Sequence, residues 1–160
     1  FGWIKVVKTD EAQKLQFFSS LGPEPLSNLT IEHFNTILSR SKAPIKQVLM
    51  DQSRMAGIGN IYANDALFYA GIHPLRPAAE LSEAEVAKLF EGVEYVLTEG
   101  IKAGGASEEN YLNAFGEKGF YQEKFLVYKQ TGKPCKRCGT PIERIVMGGR
   151  GTFFCPSCQV

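Results

Sequence analysis

Apolar and polar positions change period several times along the chain. Phe1 to Val7 (FGWIKVV) is β-branched and aromatic and predicts a strand. Leu21 to Leu26 (LGPEPL) predicts a linker, because two prolines and a glycine exclude helix. Ser27 to Thr30 offers capping side chains, and Ile31, Phe34, Ile37 and Leu38 recur at helical spacing. Pro44 fits the first position of a second helix, with Ile45, Val48, Leu49 and Met50 as its apolar face. Met55 to Gly59 predicts a turn, and Asn60 opens a third helix with Ile61, Leu67 and Phe68 inward, ending near Gly71 and Pro74. Ser82 caps a long helix carrying Val86, Leu89, Phe90, Val93, Val96, Leu97 and Ile101, stopped by Gly104-Gly105. Ala106 to Phe120 has no period and predicts a long loop. Tyr121 to Tyr128 predicts a strand, and Ile142–Met147 with Thr152–Phe154 predicts a hairpin turning on Gly148 to Gly151. The expected fold is mainly α with a small β module. It divides at 1–21, 22–116 and 117–160.

Composition narrows this picture. The 160 residues are 44% hydrophobic, which excludes wholesale disorder. No apolar run reaches the roughly 18 residues that span a bilayer, and no signal peptide is visible. The chain opens on Phe1 rather than Met, and its first strand lacks partners, so the sequence reads as part of a longer protein. The net charge of +1 hides an asymmetry. From Glu117 onward, eight basic residues face three acids, giving +5 there and −4 before it. A basic module on a mildly acidic body suggests a polyanionic partner.

All four cysteines fall near the end, as Cys135-x2-Cys138 and Cys155-x2-Cys158 separated by sixteen residues. Each C-x2-C knuckle supplies two thiolates, and a hairpin of this length brings the knuckles together around Zn²⁺. Two disulfides are the poorer reading, because nothing indicates secretion. Four thiolates close the coordination shell, so the one zinc expected is structural. Lys136 and Arg137 sit in the first knuckle, where they would offset the −2 charge of the tetrathiolate centre.

Two stretches carry a family resemblance. Met50 to Pro74 (MDQSRMAGIGNIYANDALFYAGIHP) resembles the helix–two-turn–helix signature of bacterial formamidopyrimidine-DNA glycosylases. Gly132 to Arg144 (GKPCKRCGTPIER) with Gly149 to Gln159 (GRGTFFCPSCQ) resembles their C-terminal zinc finger. The resemblance covers essentially the whole chain and implies the C-terminal half of such an enzyme. Residues 1–21 would then be the remnant of the last strands of an N-terminal catalytic domain, with a linker. The family removes oxidised purines from double-stranded DNA and cuts the strand by β,δ-elimination. Its nucleophile is an N-terminal proline, which Phe1 does not supply. Pro23-Glu24 copies the letters of the catalytic pair, but Pro23 is an internal amide. The chain alone is therefore expected to be inactive. No segment predicts a lysine with a depressed pKa, leaving the amine of Phe1 as the one group for slow adduct formation at an abasic site.

The resemblance also implies contacts. Asn60, at a helix start, would bind a backbone phosphate. Lys42, Tyr128 and Arg144 match phosphate-contacting positions. Arg150, between two glycines, would grip the phosphates beside the lesion and assist the second elimination. Phe1 would be a wedge beside the widowed base. The Ala106 to Phe120 loop would close on an everted base. A monomer in the bacterial cytoplasm, associated with the nucleoid, follows by the same resemblance. Two rival readings are the related endonuclease VIII branch, acting on oxidised pyrimidines, and a stand-alone zinc ribbon that binds nucleic acid without catalysis.

Overall fold

The computed structural model describes residues 4–12, 14–107 and 116–160. Two four-residue helical turns, α1 (Thr9–Ala12) and α2 (Gln16–Ser19), lead into the helical body. That body comprises α3 (Ile31–Ser39), α4 (Ile45–Leu49), α5 (Asn60–Ala70) and α6 (Glu83–Lys102). A two-stranded antiparallel sheet of β1 (Glu143–Met147) and β2 (Arg150–Phe154) completes the mainly α fold. No helix among the described residues is long and apolar enough to cross a membrane.

The helix boundaries follow local chemistry. Thr30 caps α3 by accepting from the His33 N–H. Ser82 and Glu85 form a reciprocal capping box at α6. Glu85 also pairs with Arg76, which ties that cap to the preceding loop. Gly71, in the left-handed region at φ 79°, ends α5. Pro44 differs from expectation by one place: it is the residue before α4, extended at ψ 134°, and its carbonyl accepts the first turn's N–H groups.

Helices α5 and α6 pack most intimately. The rings of Tyr69 and Tyr62 cover Gly92 and Gly100, and a Cβ at either glycine would overlap a tyrosine ring. Eight residues apart on one helix, the two glycines share a face and let a bulky helix approach a slender one. Phe34, Leu38, Ile45, Leu49, Met55, Ile58, Leu67, Leu89 and Val93 fill the core. Phe68 turns the other way, into a second cluster with Val127, Cys135, Ile142, Phe153 and Cys155. Helix α5 thus serves two cores, and residues 63–68 are all buried.

Neither of two expected strands is present among the described residues. Residues 4–7 are not in a strand; Ile4 and Val6 are 96% and 92% exposed, with no ladder partner among the described residues. Tyr121–Lys124 is a 3₁₀ turn instead. The reason lies at Asp65. Its carboxylate accepts from the backbone N–H groups of Leu126 (3.2 Å), Val127 (3.0 Å) and Tyr128 (3.2 Å), and from the Tyr121 hydroxyl (3.3 Å). Three consecutive N–H groups converging on one carboxylate is geometry that a strand, with alternating directions, cannot adopt. The expected loop holds at its base, where Ala106 bridges Phe120; residues 108–115 lie outside the described part.

Burial pushes the Asp65 carboxyl up, against the pull of the backbone N–H donors and the Tyr121 hydroxyl. Asp65→Asn replaces an acceptor oxygen with a donor facing those N–H groups. The expected cost is about 2–4 kcal/mol of stability. Urea denaturation checks it, and an unchanged midpoint would show that the three amides are not held by this carboxylate.

Candidate nucleic-acid interface and zinc centre

The hairpin is built on two glycines. Gly148 and Gly149 have φ of 56° and 73°, the conformation that a tight two-residue connection with the sheet's own twist requires. Met147 pairs with Arg150 across that turn. Arg150 is therefore the first residue of β2 rather than a turn residue, and it is exposed.

At the other end of β2 lies the cysteine cluster. The Sγ atoms of Cys135, Cys138, Cys155 and Cys158 all lie within 4.8 Å of one another, and none is disulfide-bonded. Cys138 and Cys155 are 3.5 Å apart, Cys135 and Cys158 3.9 Å. A tetrahedral ion with Zn–S bonds of about 2.3 Å needs sulfurs about 3.8 Å apart. The donor set and spacing fit one structural zinc. Lys136 and Arg137 do more than offset charge. Lys136 donates to the Phe125 carbonyl at 2.8 Å. Arg137 donates to the carbonyls of Phe68 and Tyr69, at 2.8 and 3.0 Å, and covers the Phe68 ring. A cation at the carbonyl end of α5 is favourably placed, so the knuckle is docked on the helix.

Three elements meet at the middle of β2. Lys46 of α4 is 1% exposed, and its ammonium donates to the Gly151 carbonyl (3.0 Å) and the Thr152 hydroxyl (2.7 Å). Asn60, the first residue of α5, donates through Nδ2 to the same carbonyl at 3.2 Å. Asn64, one turn on, accepts the Phe153 N–H at 2.8 Å. The residue before α5, Gly59, provides no side-chain cap, which leaves first-turn N–H groups of α5 for an outside acceptor. Beside this junction lies a groove of about 250 Å³ lined by Lys46, Gln47, Met50, Asp51, Met147, Gly148 and Arg150.

The sequence-derived candidates divide at this point. Asn60 donates to the carbonyl of Gly151, the residue after Arg150, and Arg150 lines the groove. Arg144 is exposed on β1 with its guanidinium 6.0 Å from the Phe153 ring, opposite Phe153 in the ladder. Tyr128 is half-buried, edge-on to both Phe125 and Phe153. Lys42 is exposed and does not line the groove. Phe1 lies outside the described residues. Lys46, Asn64 and Thr152 were not singled out from sequence for this junction. For Asn64 the signal was its i+4 spacing from Asn60. For Lys46 it was a place among Ile45, Val48 and Leu49 on a very short helix.

Comparison with known proteins agrees with this geometry. Residues 21–111 match the model described as the formamidopyrimidine-DNA glycosylase H2TH domain. The chain belongs to that family. Residues 132–160 match the zinc finger found in FPG and IleRS. A formamidopyrimidine-DNA glycosylase of Listeria innocua is 42% identical over 160 residues, which are 99% of this chain and 59% of that protein. One from Chloroflexus aggregans is 48% identical over 152 residues, 94% of this chain and 55% of its own length. The crystal structure of MutM (Fpg) from Thermus thermophilus superposes with a TM-score of 0.88 at 41% identity, covering 96% of this chain and 59% of that one. A complex of Lactococcus lactis Fpg with DNA containing an abasic site gives 0.87 at 37% identity, covering 96% and 56%. The chain thus spans a little under three fifths of these relatives.

Reduced chain is expected to carry one zinc. Cys155→Ser should abolish stoichiometric zinc and melt the hairpin while α3 and α6, packed in the other core, stay helical. Elemental analysis and circular dichroism check this; well under one zinc per unaltered chain overturns it. A second expectation concerns Lys46, whose ammonium burial, and then the Arg150 charge, pull down to about 8. Between that value and about 10.4, the unfolded chain holds a proton that the folded chain has released. Stability attributable to Lys46 should therefore rise with pH across this window, by of order 2 kcal/mol. The contrast with Lys46→Met in urea denaturation from pH 7 to 10.5 measures it. A flat difference would show that the amine is not desolvated.

Proposed function

We propose that this chain is the DNA-gripping half of a base-excision glycosylase and AP lyase, in which residues 22–116 bind the damaged duplex and 117–160 form the zinc-finger clamp. The observation that carries this reading is that buried Lys46 and Asn60, the latter opening a helix without a side-chain cap, both donate to the Gly151 carbonyl, next to exposed Arg150. Helix N–H groups and a forked guanidinium are donors suited to phosphate, and the buried ammonium adds positive charge beneath them. Asn60, Arg150, Arg144, Tyr128 and Lys42 contact backbone phosphates. Phe1 serves as the aromatic wedge, and the loop after Gly105 closes on the everted base. Arg150 assists elimination through the phosphate it holds.

The complete enzyme removes oxidised purines such as 8-oxoguanine from double-stranded DNA and nicks by β,δ-elimination, with the nucleophile in a preceding domain. The names of the matched relatives favour this branch over an endonuclease VIII-like enzyme. It acts as a monomer in the bacterial cytoplasm, on the nucleoid. Its zinc organises structure and takes no part in bond breaking.

The chain by itself lacks a competent nucleophile. Pro23 is an internal residue whose carbonyl accepts the Ala56 N–H. Lys46 departs from the expectation of ordinary lysines, since its pKa is depressed. Yet its amine is bound between a carbonyl and a hydroxyl beneath the surface, out of reach of a sugar carbon.

One set of measurements tests the proposal. The zinc-loaded chain should bind a short duplex with a log–log salt slope of about −3 to −5, and Arg150→Ala should flatten it by about 1. The same preparation should release no 8-oxoguanine, and borohydride should trap no adduct on DNA with the base intact. A slope near zero overturns the binding reading. Efficient excision overturns the assignment of the nucleophile to a separate domain.

A further inference from the structure

Asn64 has a use for every hydrogen-bonding group it owns. Its Nδ2 donates to the Asn60 carbonyl at 2.6 Å and to Asn60 Oδ1 at 3.3 Å. Its Oδ1 accepts from Phe153 N–H at 2.8 Å. The side chain is 1% exposed. Asn60 is thereby given a direction. A primary amide offers an oxygen and a nitrogen on opposite branches, and rotation by half a turn exchanges a donor for an acceptor. With Oδ1 held by Asn64 and Nδ2 against Gly151, one Asn60 N–H is used inside and the second remains to donate. A phosphate accepts hydrogen bonds and offers none, so only this orientation suits it.

We propose that Asn64 is the positioning residue that turns the Asn60 amide nitrogen, rather than its oxygen, toward a backbone phosphate. This rests on the DNA-binding reading above. Asn64 does not touch the DNA; it acts through Asn60. The anchor on Phe153 fixes Asn64 itself, so the orientation of Asn60 is set from the hairpin.

The test is a double-mutant cycle on zinc-loaded chain and a short duplex carrying an abasic site. Asn64→Asp keeps the acceptor for Phe153 N–H and loses the donor to Asn60. It should weaken binding about tenfold, and by about threefold or less in an Asn60→Ala background, where only its added charge still acts. Asn64→Ala, which adds no charge, should weaken binding about fivefold and leave the salt slope unchanged, because a neutral amide contact releases no counterion. Zinc should stay at one per chain in each variant. Equal losses in both backgrounds overturn the inference. So does a slope flattened by about 1 in Asn64→Ala, which would mean that the residue acts through Arg150. Loss of affinity in Asn60→Ala without coupling sinks the inference alone. No salt-dependent binding by the unaltered chain sinks the DNA-binding reading, and the inference with it.

Discussion

A polar side chain taken out of water must find a partner, and helix α5 buries two that its own helix leaves only partly satisfied. Asp65 needs donors, and residues 126–128 supply three. Asn64 needs a donor for its oxygen, and Phe153 supplies it from β2. Among the described residues, no buried side-chain nitrogen or oxygen lacks a partner. Leaving one such group unpaired costs about 1–3 kcal/mol, more when charged. The helical body therefore reaches its full stability only when the segments 61 to 89 residues further along are seated on it. The second core makes the same demand in apolar terms, since Phe68 is covered by residues of the finger. The two modules differ in sequence character, yet they are joined through one helix.

Electrostatics shape the junction in a second way. Lys46 and Arg150 are like charges, near enough that each disfavours the other, and Lys46 is also desolvated. The arrangement is stabilised by the Gly151 carbonyl and the Thr152 hydroxyl, which are dipoles rather than a countercharge. The carboxylate that lines the groove, Asp51, is paired with Arg54. The proposed phosphate on Arg150 would relieve part of the repulsion between Lys46 and Arg150. The helix N-terminus of α5 adds its own partial positive charge to the same place.

Much of this was readable from sequence. The zinc centre was, because ligand spacing is local and four thiolates at C-x2-C intervals have few other uses. Helices α3 and α6 were, because each carries an apolar stripe and a capping side chain. Asn60 and Arg150 were named through the family resemblance. The misses at Tyr121 to Tyr128, Lys46, Asn64 and Asp65 share a cause. Tyr121 to Tyr128 has strand-like residues, but a carboxylate 61 residues earlier, counted from Leu126, dictates its backbone. Lys46 reads as a solvated lysine until β2 is laid over it. Asn64 and Asp65 lie mid-helix, where such residues are usually unremarkable. Each miss required a partner more than fifty residues away, which periodicity does not report.

These long-range partners also define what the zinc contributes. Cys155 immediately follows β2, and Arg150 opens the same strand five residues earlier. At about 3.3 Å per residue, the strand extends roughly 17 Å from metal to arginine. A lever of that length, fixed only at its base, would leave its tip poorly placed. Here the strand is held again at its middle, by Lys46 and Asn60 on Gly151 and by Asn64 on Phe153. The ion sets where the hairpin starts, and the helical body sets where it points. A groove shared by α4 and the hairpin tip is then a consequence of both attachments. Neither module could form it with the metal alone or with the helices alone.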